Sequence, residues 1–503
     1  MRSKFIIQTI FLSVILISCG QEGRVKQHKQ EKQYAVSTSV EHPAWSKNAV
    51  IYEVNIRQYS EEGTFKVFAE HLPRLQKLGV DILWLMPVYP IGESNRKATQ
   101  TILVDEIKDP DERKQYLGSY YSTKDYLSVN PEFGTMEDFR SLVDEIHELG
   151  MYVILDIAVN HTAWDHAWVK THPEYYTKID TGNTPWNSEW MKQHPDFFER
   201  LKNLGMTYPV DPDETDWWDT ADLNYDNHGL RDEMKNIFKY WVSETGVDGY
   251  RCDVAGLVPC DFWNEIRASL DSIKPVFMLA EDEENTCLLK MAFDMNYAWE
   301  FHHLLNDVAK GDKTVRDLKD YIIKQDSTYD PEIYRMNFIT NHDENSWNGT
   351  EFERMGDAVE VMALLTFTVP GMPLIYTGQE TGLMKRLEFF KKDMVEWKES
   401  KWEKIYQSVI HLKKSNQVLW NGSAGGAMQI MDIEGEENIF AFARSNDKEE
   451  LLVITNLSDT IANFQLPDDY TGKNYYDALT KQKFNPEQSL TLDSFGYLVL
   501  KKR

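Results

Sequence analysis

The chain has 503 residues, of which 42% are hydrophobic and 27% are charged, so it can bury a sizeable core and is not globally disordered. Its 81 acidic residues exceed its 54 basic residues, which gives a formal net charge of −27. That charge argues against nucleic acid or anionic lipid as the main partner, because phosphates would be repelled. Four cysteines in this length exclude a disulfide-stapled scaffold.

The first residues have the pattern of a targeting segment. A basic start at Arg2 and Lys4 precedes a mostly apolar run over residues 5–17, which is shorter than the roughly 20 residues that a spanning helix needs. The run ends in Leu-Ile-Ser-Cys and resembles a bacterial lipobox, in which the cysteine is lipidated. We therefore predict a signal peptide over residues 1–18 and a lipid on Cys19. The alternative is an ordinary secretory signal with a chance cysteine.

A polar stretch follows the predicted lipidation site. Residues 21–41 contain almost no large apolar side chain, which predicts a flexible tether over residues 19–43. The protein is then expected to be exported and held by its lipid alone on a bacterial membrane, at the periplasmic side or the cell surface. The three remaining cysteines cannot all pair with one another. We expect Cys252, Cys260 and Cys287 to be buried free thiols, since none shows zinc-ligand spacing.

One unit recurs along the chain: an amphipathic helix, a glycine and a short apolar strand. The predicted strands are residues 50–56, 80–85, 151–155, 247–251, 276–280, 338–340 and 374–376. Strands that are apolar on both faces suit a parallel sheet covered by helices. The alternation continues for about 370 residues, which fits an eight-stranded (β/α)8 TIM barrel better than a doubly wound sheet. We assign this α/β barrel, the catalytic domain, to residues 44–419.

Two further regions depart from this rhythm. A long excursion over about residues 161–222, after the third strand, carries many tryptophans among Pro, Asp and Asn, which predicts an inserted rim domain. We expect most of its aromatic side chains to form a small core and two or three to be sugar platforms. Beyond the barrel, short strands separated by turn residues predict a C-terminal all-β sandwich over residues 420–503.

Ionisable residues come directly after several predicted strands, and in a barrel these strand ends meet at one rim. They are Asp156, Arg251, Asp253, Glu281, His342 and Asp343. An arginine two residues from Asp253 keeps that carboxylate ionised, as a nucleophile requires. Glu281, in a drier wall, could hold a proton for a leaving group. Two such carboxylates about 5 Å apart are typical of a retaining glycosidase. The structural alternative is a set of rim salt bridges.

Four motifs carry a resemblance to a known family. Residues 156–161, 249–253, 280–281 and 341–343 read Asp-Ile-Ala-Val-Asn-His, Gly-Tyr-Arg-Cys-Asp, Ala-Glu and Asn-His-Asp. In this order they resemble the four conserved regions of glycoside hydrolase family thirteen, the α-amylase family. The similarity extends from about Trp45 to the C-terminus.

The resemblance implies a retaining α-glycoside hydrolase that acts on α-glucan oligosaccharides through a β-glycosyl-enzyme. It makes Asp253 the nucleophile, Glu281 the acid/base and Asp343 the transition-state stabiliser. The substrate-binding residues that it implies are Arg251, His161, His342, Tyr121 and Asp156. Arg251 would orient Asp253, the histidines would bind hydroxyls, Tyr121 would stack on the sugar, and Asp156 would support the site from one side.

The same resemblance implies one structural Ca²⁺ and no organic cofactor. Asn160 and Asp222 match positions that bind this ion in many members, and oxygen ligands suit a hard cation. Val254 departs from the pattern of endo-acting amylases and occurs in some members that cleave α-1,6 bonds. A transglycosylase and an α-1,6-acting oligoglucosidase on the same fold therefore stay open. A non-catalytic glucan-binding lipoprotein is a third alternative, although such relatives usually lose the carboxylates that this chain keeps.

Overall fold

The computed structural model describes residues 34–177, 217, 219–434, 436–484 and 489–502. The predicted signal peptide, the lipidation site Cys19 and most of the tether lie outside these residues, as does the middle of the predicted rim domain. Within the described ranges, every helix is too short or too polar to span a bilayer.

Eight parallel strands close into a barrel, which confirms the predicted TIM fold. They are β1 (Ile51–Val54), β2 (Ile82–Leu85), β3 (Tyr152–Ala158), β6 (Gly249–Asp253), β7 (Phe277–Ala280), β8 (Met295–Tyr297), β9 (Tyr334–Asn337) and β10 (Met372–Tyr376). Between β3 and β6, the short antiparallel strands β4 (His161–Ala163) and β5 (Thr220–Asp222) pair at the rim. The register pairs Ala158 with Asp253 and Cys252 with Ala280, so three predicted site segments end at the same level.

Two strands differ from the sequence prediction. The strand expected at residues 338–340 is wrong, because β9 lies just before it and alternates polar with apolar residues: Arg335 and Asn337 are both buried. The strand β8 was not predicted at all. It has three residues with Asn296 at its centre, so it lacks the apolar run that identified the other strands.

The α-helices cover the barrel from outside. Among the described residues, those of eight residues or more are Met136–Glu148, His228–Thr245, Cys260–Asp271, Trp299–Lys310, Val315–Thr328, Val359–Thr368 and Lys401–Ser415. The shorter ones are Ile56–Tyr59, Phe65–Ala69, Leu72–Leu78, Pro110–Arg113, Trp168–Thr171, Leu288–Met291 and Glu351–Met355. Gly79 and Gly246 follow two of these helices with φ of 103° and 80°, the left-handed conformation expected of a glycine helix stop.

The C-terminal part is all-β, as predicted. Its strands are β11 (Ala427–Met431), β12 (Ile439–Ser445), β13 (Glu450–Asn456), β14 (Ala462–Gln465), β15 (Tyr475–Asp477), β16 (Lys483–Phe484), β17 (Ser489–Leu492) and β18 (Tyr497–Lys502). Six of them form one sheet, and β14 pairs with β17 in a second. Alternate residues serve the two faces: Phe440 and Val453 belong to the barrel's core cluster, whereas Ile439 and Ile454 pack against the small sheet.

The end of the predicted tether is held against the barrel. The Val36 N–H donates to the Thr328 carbonyl at 2.9 Å, and the Ser39 N–H donates to the Lys290 carbonyl at 2.9 Å. The His42 ring lies 2.7 Å from an Asp294 carboxylate oxygen. The expected flexible tether is therefore wrong for residues 36–42. Low local hydrophobicity does not reveal backbone hydrogen bonds to distant segments.

Two of the three cysteines form a disulfide, so the expectation of free thiols is wrong for Cys260 and Cys287. Their Cα atoms lie 6.2 Å apart, a separation that a disulfide can span. Cys260 begins the helix after β6 and Cys287 lies in the segment after β7, so the bond joins the two segments that follow Asp253 and Glu281. Counting cysteines cannot reveal this proximity. Cys252 is a buried free thiol, as expected.

Removing this crosslink is expected to lower the free energy of unfolding. The disulfide spans 27 residues, and a bond that closes a loop of this size contributes about 3 kcal/mol by restricting the unfolded chain. Chemical denaturation of the Cys260→Ser/Cys287→Ser variant, beside the parent under oxidising and reducing conditions, measures the loss. The reduced parent should match the variant. Equal stability of the variant and the oxidised parent would contradict the prediction.

Candidate active site

A fully buried arginine lies at the centre of the barrel mouth. Arg251 Nη1 donates to Asp156 Oδ1 at 2.9 Å and to Asp253 Oδ1 at 2.7 Å. Its Nη2 forms an ion pair with Glu281 Oε1 at 2.9 Å, and its Nε donates to Tyr297 Oη at 3.2 Å. One guanidinium thus gathers three carboxylates from β3, β6 and the end of β7. The structure places Asp253 and Glu281 on adjacent nitrogens of the same cation.

Burial changes the acidity of both predicted catalytic carboxyls. It raises the pKa of Asp253 to about 6, because the cost of desolvating the anion exceeds the opposing effect of Arg251. Burial also raises the pKa of Glu281 to about 7, and the negative charges of Asp253 and Asp343 act in the same direction. The two groups titrate as a pair, in which Glu281 keeps its proton to the higher pH. This order suits an acid beside a nucleophile.

The residue after Asp253 has an unusual backbone conformation. Val254 has φ of 38° and ψ of 45°, a left-handed conformation that β-branched residues rarely adopt. In this conformation its N–H donates to Glu281 Oε2 at 2.8 Å. The backbone directly after Asp253 therefore holds the carboxyl of Glu281, so local strain links the two groups.

A chain of hydrogen bonds forms the opposite side of the site. His342 Nε2 lies 2.8 Å from Tyr121 Oη and 3.3 Å from Asp343 Oδ2. Tyr121 Oη in turn donates to Asp156 Oδ2 at 3.0 Å. The other ring nitrogen of His342 lies 2.6 Å from Glu53 Oε1. Tyr121 and His342 are therefore fixed by buried carboxylates beneath them.

Asp343 is held from a second direction. Trp347 Nε1 donates to Asp343 Oδ1 at 3.2 Å, so each oxygen of this carboxylate lies near a ring nitrogen. Trp347 belongs to a single π-helical turn, Glu344–Asn348, that begins directly after Asp343. Such turns are frequent at functional sites, because they aim a side chain in a direction that a regular helix does not allow.

The rim segment contributes buried polar atoms without a partner. Both ring nitrogens of His161 and Asp219 Oδ2 accept or donate no hydrogen bond among the described residues, although both side chains are buried. Burial lowers the pKa of His161 to about 4, so its ring is neutral at neutral pH. Buried polar groups in proteins are nearly always hydrogen-bonded, so these atoms are suited to a polar ligand.

Most of these groups line one cavity of about 300 Å³. Its lining residues are Lys97, Gln100, Ser119, Tyr121, His161, Trp217, Asp219, Thr220, Asp253, Val254, Glu281, His342, Asp343, Trp347, Phe389 and Phe390. Six of the eight residues that we predicted for catalysis or substrate binding are among them. The other two, Arg251 and Asp156, are completely buried and do not line the cavity. They contact residues that do line it and have no surface that a substrate could touch.

Several residues of this site were not predicted. Glu53, Trp84 and Tyr297 lie on barrel strands and contact predicted residues; the Trp84 Nε1 donates to Asp156 Oδ2 at 3.1 Å. Asp219 and Trp347 lie in connecting segments. Of these residues, only Glu53 left a signal in the sequence: it is a carboxylate within the otherwise apolar strand β1, and an acid without a partner is poor core material.

The two residues predicted to bind calcium lie together at the rim. Asp222 pairs with His161 in the β4–β5 register, and the Leu223 N–H donates to the Asn160 carbonyl at 2.9 Å. Burial raises the pKa of Asp222 to about 6. Among the described residues, the groups that oppose this shift are the Thr177 hydroxyl and a backbone N–H, not a basic side chain. A half-buried carboxylate with no basic partner among the described residues fits a hard cation.

A parallel barrel with paired carboxylates on its strand ends is the architecture of a glycoside hydrolase. Residues 46–427 match the family profile described as "Alpha amylase, catalytic domain", and residues 428–499 match "Maltogenic Amylase, C-terminal domain". The first match alone covers more than half of the sequence. The chain belongs to the alpha-amylase family.

Individual relatives agree with this assignment. "Alpha-amylase 3" of Dictyoglomus thermophilum is 29% identical over 360 residues, which cover 67% of this chain and 65% of that protein. "Cyclomaltodextrinase" of a Bacillus species is 25% identical over 82% of this chain and 73% of its own length. Among solved structures, an alpha-amylase from Lactobacillus plantarum is 30% identical to this chain with a TM-score of 0.74. The match covers 91% of this chain and 99% of the Lactobacillus chain. The chain thus spans just under two thirds of the Dictyoglomus protein.

Proposed function

We propose that this protein hydrolyses α-glucosidic bonds in starch-derived or related α-glucan oligosaccharides and retains the α configuration. The observation that carries the proposal is the contact of Asp253 and Glu281 with one guanidinium, at a cavity that Asp343 also lines. Carboxylates held this close leave no room for a water between nucleophile and sugar, which favours the retaining mechanism over inversion.

The reaction follows from the two acidities. Asp253 attacks the anomeric carbon, and the bond to the leaving oxygen breaks as that oxygen takes the proton of Glu281. The product of this step is a β-glycosyl ester on Asp253, with Glu281 ionised. Glu281 then removes a proton from water, whose oxygen attacks the same carbon and releases Asp253. Each step inverts the carbon once, so the product keeps the α configuration.

The remaining cavity residues suit the charge that develops on the sugar. Asp343 supplies an anion near the oxocarbenium-like centre and accepts hydrogen bonds from hydroxyls. His161 offers a donor and an acceptor, because its ring is neutral and both nitrogens are unpartnered among the described residues. The described residues that line the cavity supply four carboxyl groups against Lys97 and His342, a balance that favours neutral sugars over phosphorylated ones.

Product analysis tests this proposal and separates it from the alternatives. Maltoheptaose, pullulan, isomaltose and panose cover α-1,4 and α-1,6 bonds, and trehalose 6-phosphate tests a charged substrate. The last compound is included because "Trehalose-6-phosphate hydrolase" of Bacillus subtilis is 23% identical over 85% of this chain. We expect short glucan products with the α anomer formed first. Chain lengthening at high substrate would favour a transglycosylase, and binding without turnover of any substrate would contradict the proposal.

Structural calcium is part of the same proposal. Asn160 and Asp222 would hold the ion with hard oxygen ligands, and the ion would brace the rim segment that carries His161. We expect chelation to lower the thermal midpoint of the parent, and equilibrium dialysis to show one Ca²⁺ per chain. The Asp222→Asn variant should bind less Ca²⁺ and lose the response to chelator, with the exposed Asp226→Asn as control. Equal Ca²⁺ binding by parent and variant would contradict the assignment.

We also propose that the protein is exported and lipid-anchored through Cys19. The disulfide between Cys260 and Cys287 supports export, because such bonds persist in oxidising compartments. The full-length protein expressed in bacteria should partition into detergent on phase separation, and Cys19→Ser should move it to the aqueous phase. An anchored protein that ignores this substitution would contradict lipidation at this residue.

A further inference from the structure

A buried glutamate, Glu53, lies beneath the cavity and is not among the residues that line it. Glu53 sits on β1 between the register partners Trp84 of β2 and Tyr376 of β10, and it has no exposed surface. One carboxylate oxygen lies 2.6 Å from His342 Nδ1, while the other has no hydrogen-bond partner among the described residues. An acid in this position costs desolvation energy, and the contact with His342 is the one side-chain hydrogen bond among the described residues that offsets this cost.

The hydrogen bonds around His342 determine which of its ring nitrogens carry a hydrogen. The Tyr121 hydroxyl donates its hydrogen to Asp156, so it can only accept from His342 Nε2. Nε2 therefore carries a hydrogen. On the other side, Glu53 and His342 Nδ1 share one proton at 2.6 Å. A carboxylate facing an imidazolium is the arrangement in which both ring nitrogens donate.

We propose that Glu53 is a positioning residue that holds the ring of His342 in its charged, doubly donating form and thereby fixes the carboxylate of Asp343. The inference rests on the proposed hydrolysis, for which Asp343 is the transition-state stabiliser. His342 Nε2 lies 3.3 Å from Asp343 Oδ2, so the positive charge of the ring attracts that oxygen, and Trp347 holds the other.

The charges facing His342 support this assignment. Glu53 faces it from β1, Asp156 from β3, Arg251 from β6, Tyr121 from the segment after β2, and Asp343 follows it in sequence. Burial lowers the pKa of His342 and Arg251 acts in the same direction, but Asp343 and Glu53 outweigh both and raise it to about 9. The ring is thus cationic at neutral pH, and Glu53 supplies part of the compensating charge.

The Glu53→Gln variant separates charge from shape, because glutamine fills the same volume without the negative charge. Histidine titration followed by NMR on ¹³C-labelled protein, with His342 assigned from a His342→Gln sample, should show the pKa of His342 falling by at least one unit toward its ordinary value near 6.5. We expect kcat on maltoheptaose to fall about 10- to 100-fold, by analogy with the loss that follows when the hydrogen-bond partner of a metal-ligating histidine is replaced. KM should change less than threefold, since the ground-state contacts remain.

Glu351→Gln is the matched control. Glu351 is another buried glutamate whose pKa burial raises to about 7, but it does not line the cavity. It should leave both kcat and the titration of His342 unchanged. An unchanged pKa of His342 in Glu53→Gln, or a loss of kcat without a change in that pKa, would overturn the inference. If the parent turns over no glucan but Glu53→Gln still lowers the pKa of His342, the result overturns the proposed function and leaves the positioning role standing.

Discussion

Replacing Asp253 by asparagine is expected to lower kcat on maltoheptaose by about 10⁴-fold or more, the size of effect seen when a covalent nucleophile is removed. The amide has the shape of the carboxylate but does not attack the anomeric carbon. The fold should persist, because Arg251 keeps its contacts with Asp156 and Glu281. The pKa of Glu281 should also fall, since the charge of Asp253 contributes to raising it.

Single-turnover and steady-state assays of Asp253→Asn measure the loss, and thermal unfolding checks the fold. The control is Asp261→Asn, on the helix that follows β6, where the carboxylate is 69% exposed and pairs with Arg231 at the surface. The control should retain the parent's kcat within a factor of two. A kcat within tenfold of the parent for Asp253→Asn would contradict its role as nucleophile.

The strand ends that carry the proposed catalytic residues were predictable because their signal is local. Glu281 follows an apolar run and Asp253 ends a short predicted strand, and parallel barrel strands bring their ends to one rim whatever the details of packing. The spacing of Arg251 and Asp253 fixes their common direction on a strand. These features depend only on period and topology, and the structure places all three in contact.

The residues that complete the site depend on contacts between distant segments. Glu53 reaches His342 across 289 positions of the chain, and the Cys260–Cys287 bond depends on how two loops pack. No periodicity encodes either pairing. The strand β8 was missed in the sequence for a different reason. Three residues with a polar centre are too few for a pattern of period two to be recognised.

The direction in which the pKa of Asp253 shifts could not be predicted from the sequence. The sequence indicates that Arg251 stabilises the anion of Asp253, and it does lower that pKa. Yet the same barrel mouth buries the carboxyl, and burial is the larger effect, so the pKa rises to about 6. Which effect wins depends on how much water reaches the rim, a property of three-dimensional packing.

Replacing Glu281 by glutamine is expected to reveal its two roles separately. Turnover of maltoheptaose should fall about 10³-fold, because the poor leaving group then departs without a proton. α-Glucosyl fluoride needs no protonation, so formation of the glycosyl-enzyme from it should be nearly unaffected. Hydrolysis of that intermediate should be slow for want of a base, and azide, which needs no deprotonation, should restore turnover.

The pH dependence gives an independent check with a defined sign. Burial raises the pKa of Glu281 to about 7, so the protonated acid is present below that pH and is lost as pH rises through it. Asp253, whose pKa is raised to about 6, must be ionised, so activity is lost as pH falls through that value. The parent should therefore show a narrow optimum between these limits on kcat/KM.

In Glu281→Gln the limb near pH 7 should disappear from the residual kcat/KM on maltoheptaose, which needs the acid, while the limb near pH 6 remains. Glu284→Gln, an exposed acid three residues further along the same segment, is the matched control and should keep both limbs. A Glu281→Gln variant that retains the alkaline limb would assign that ionisation to another group. The acid would then have to be sought elsewhere on the cavity wall, where Asp219 and Asp343 are the remaining carboxyls among the described residues.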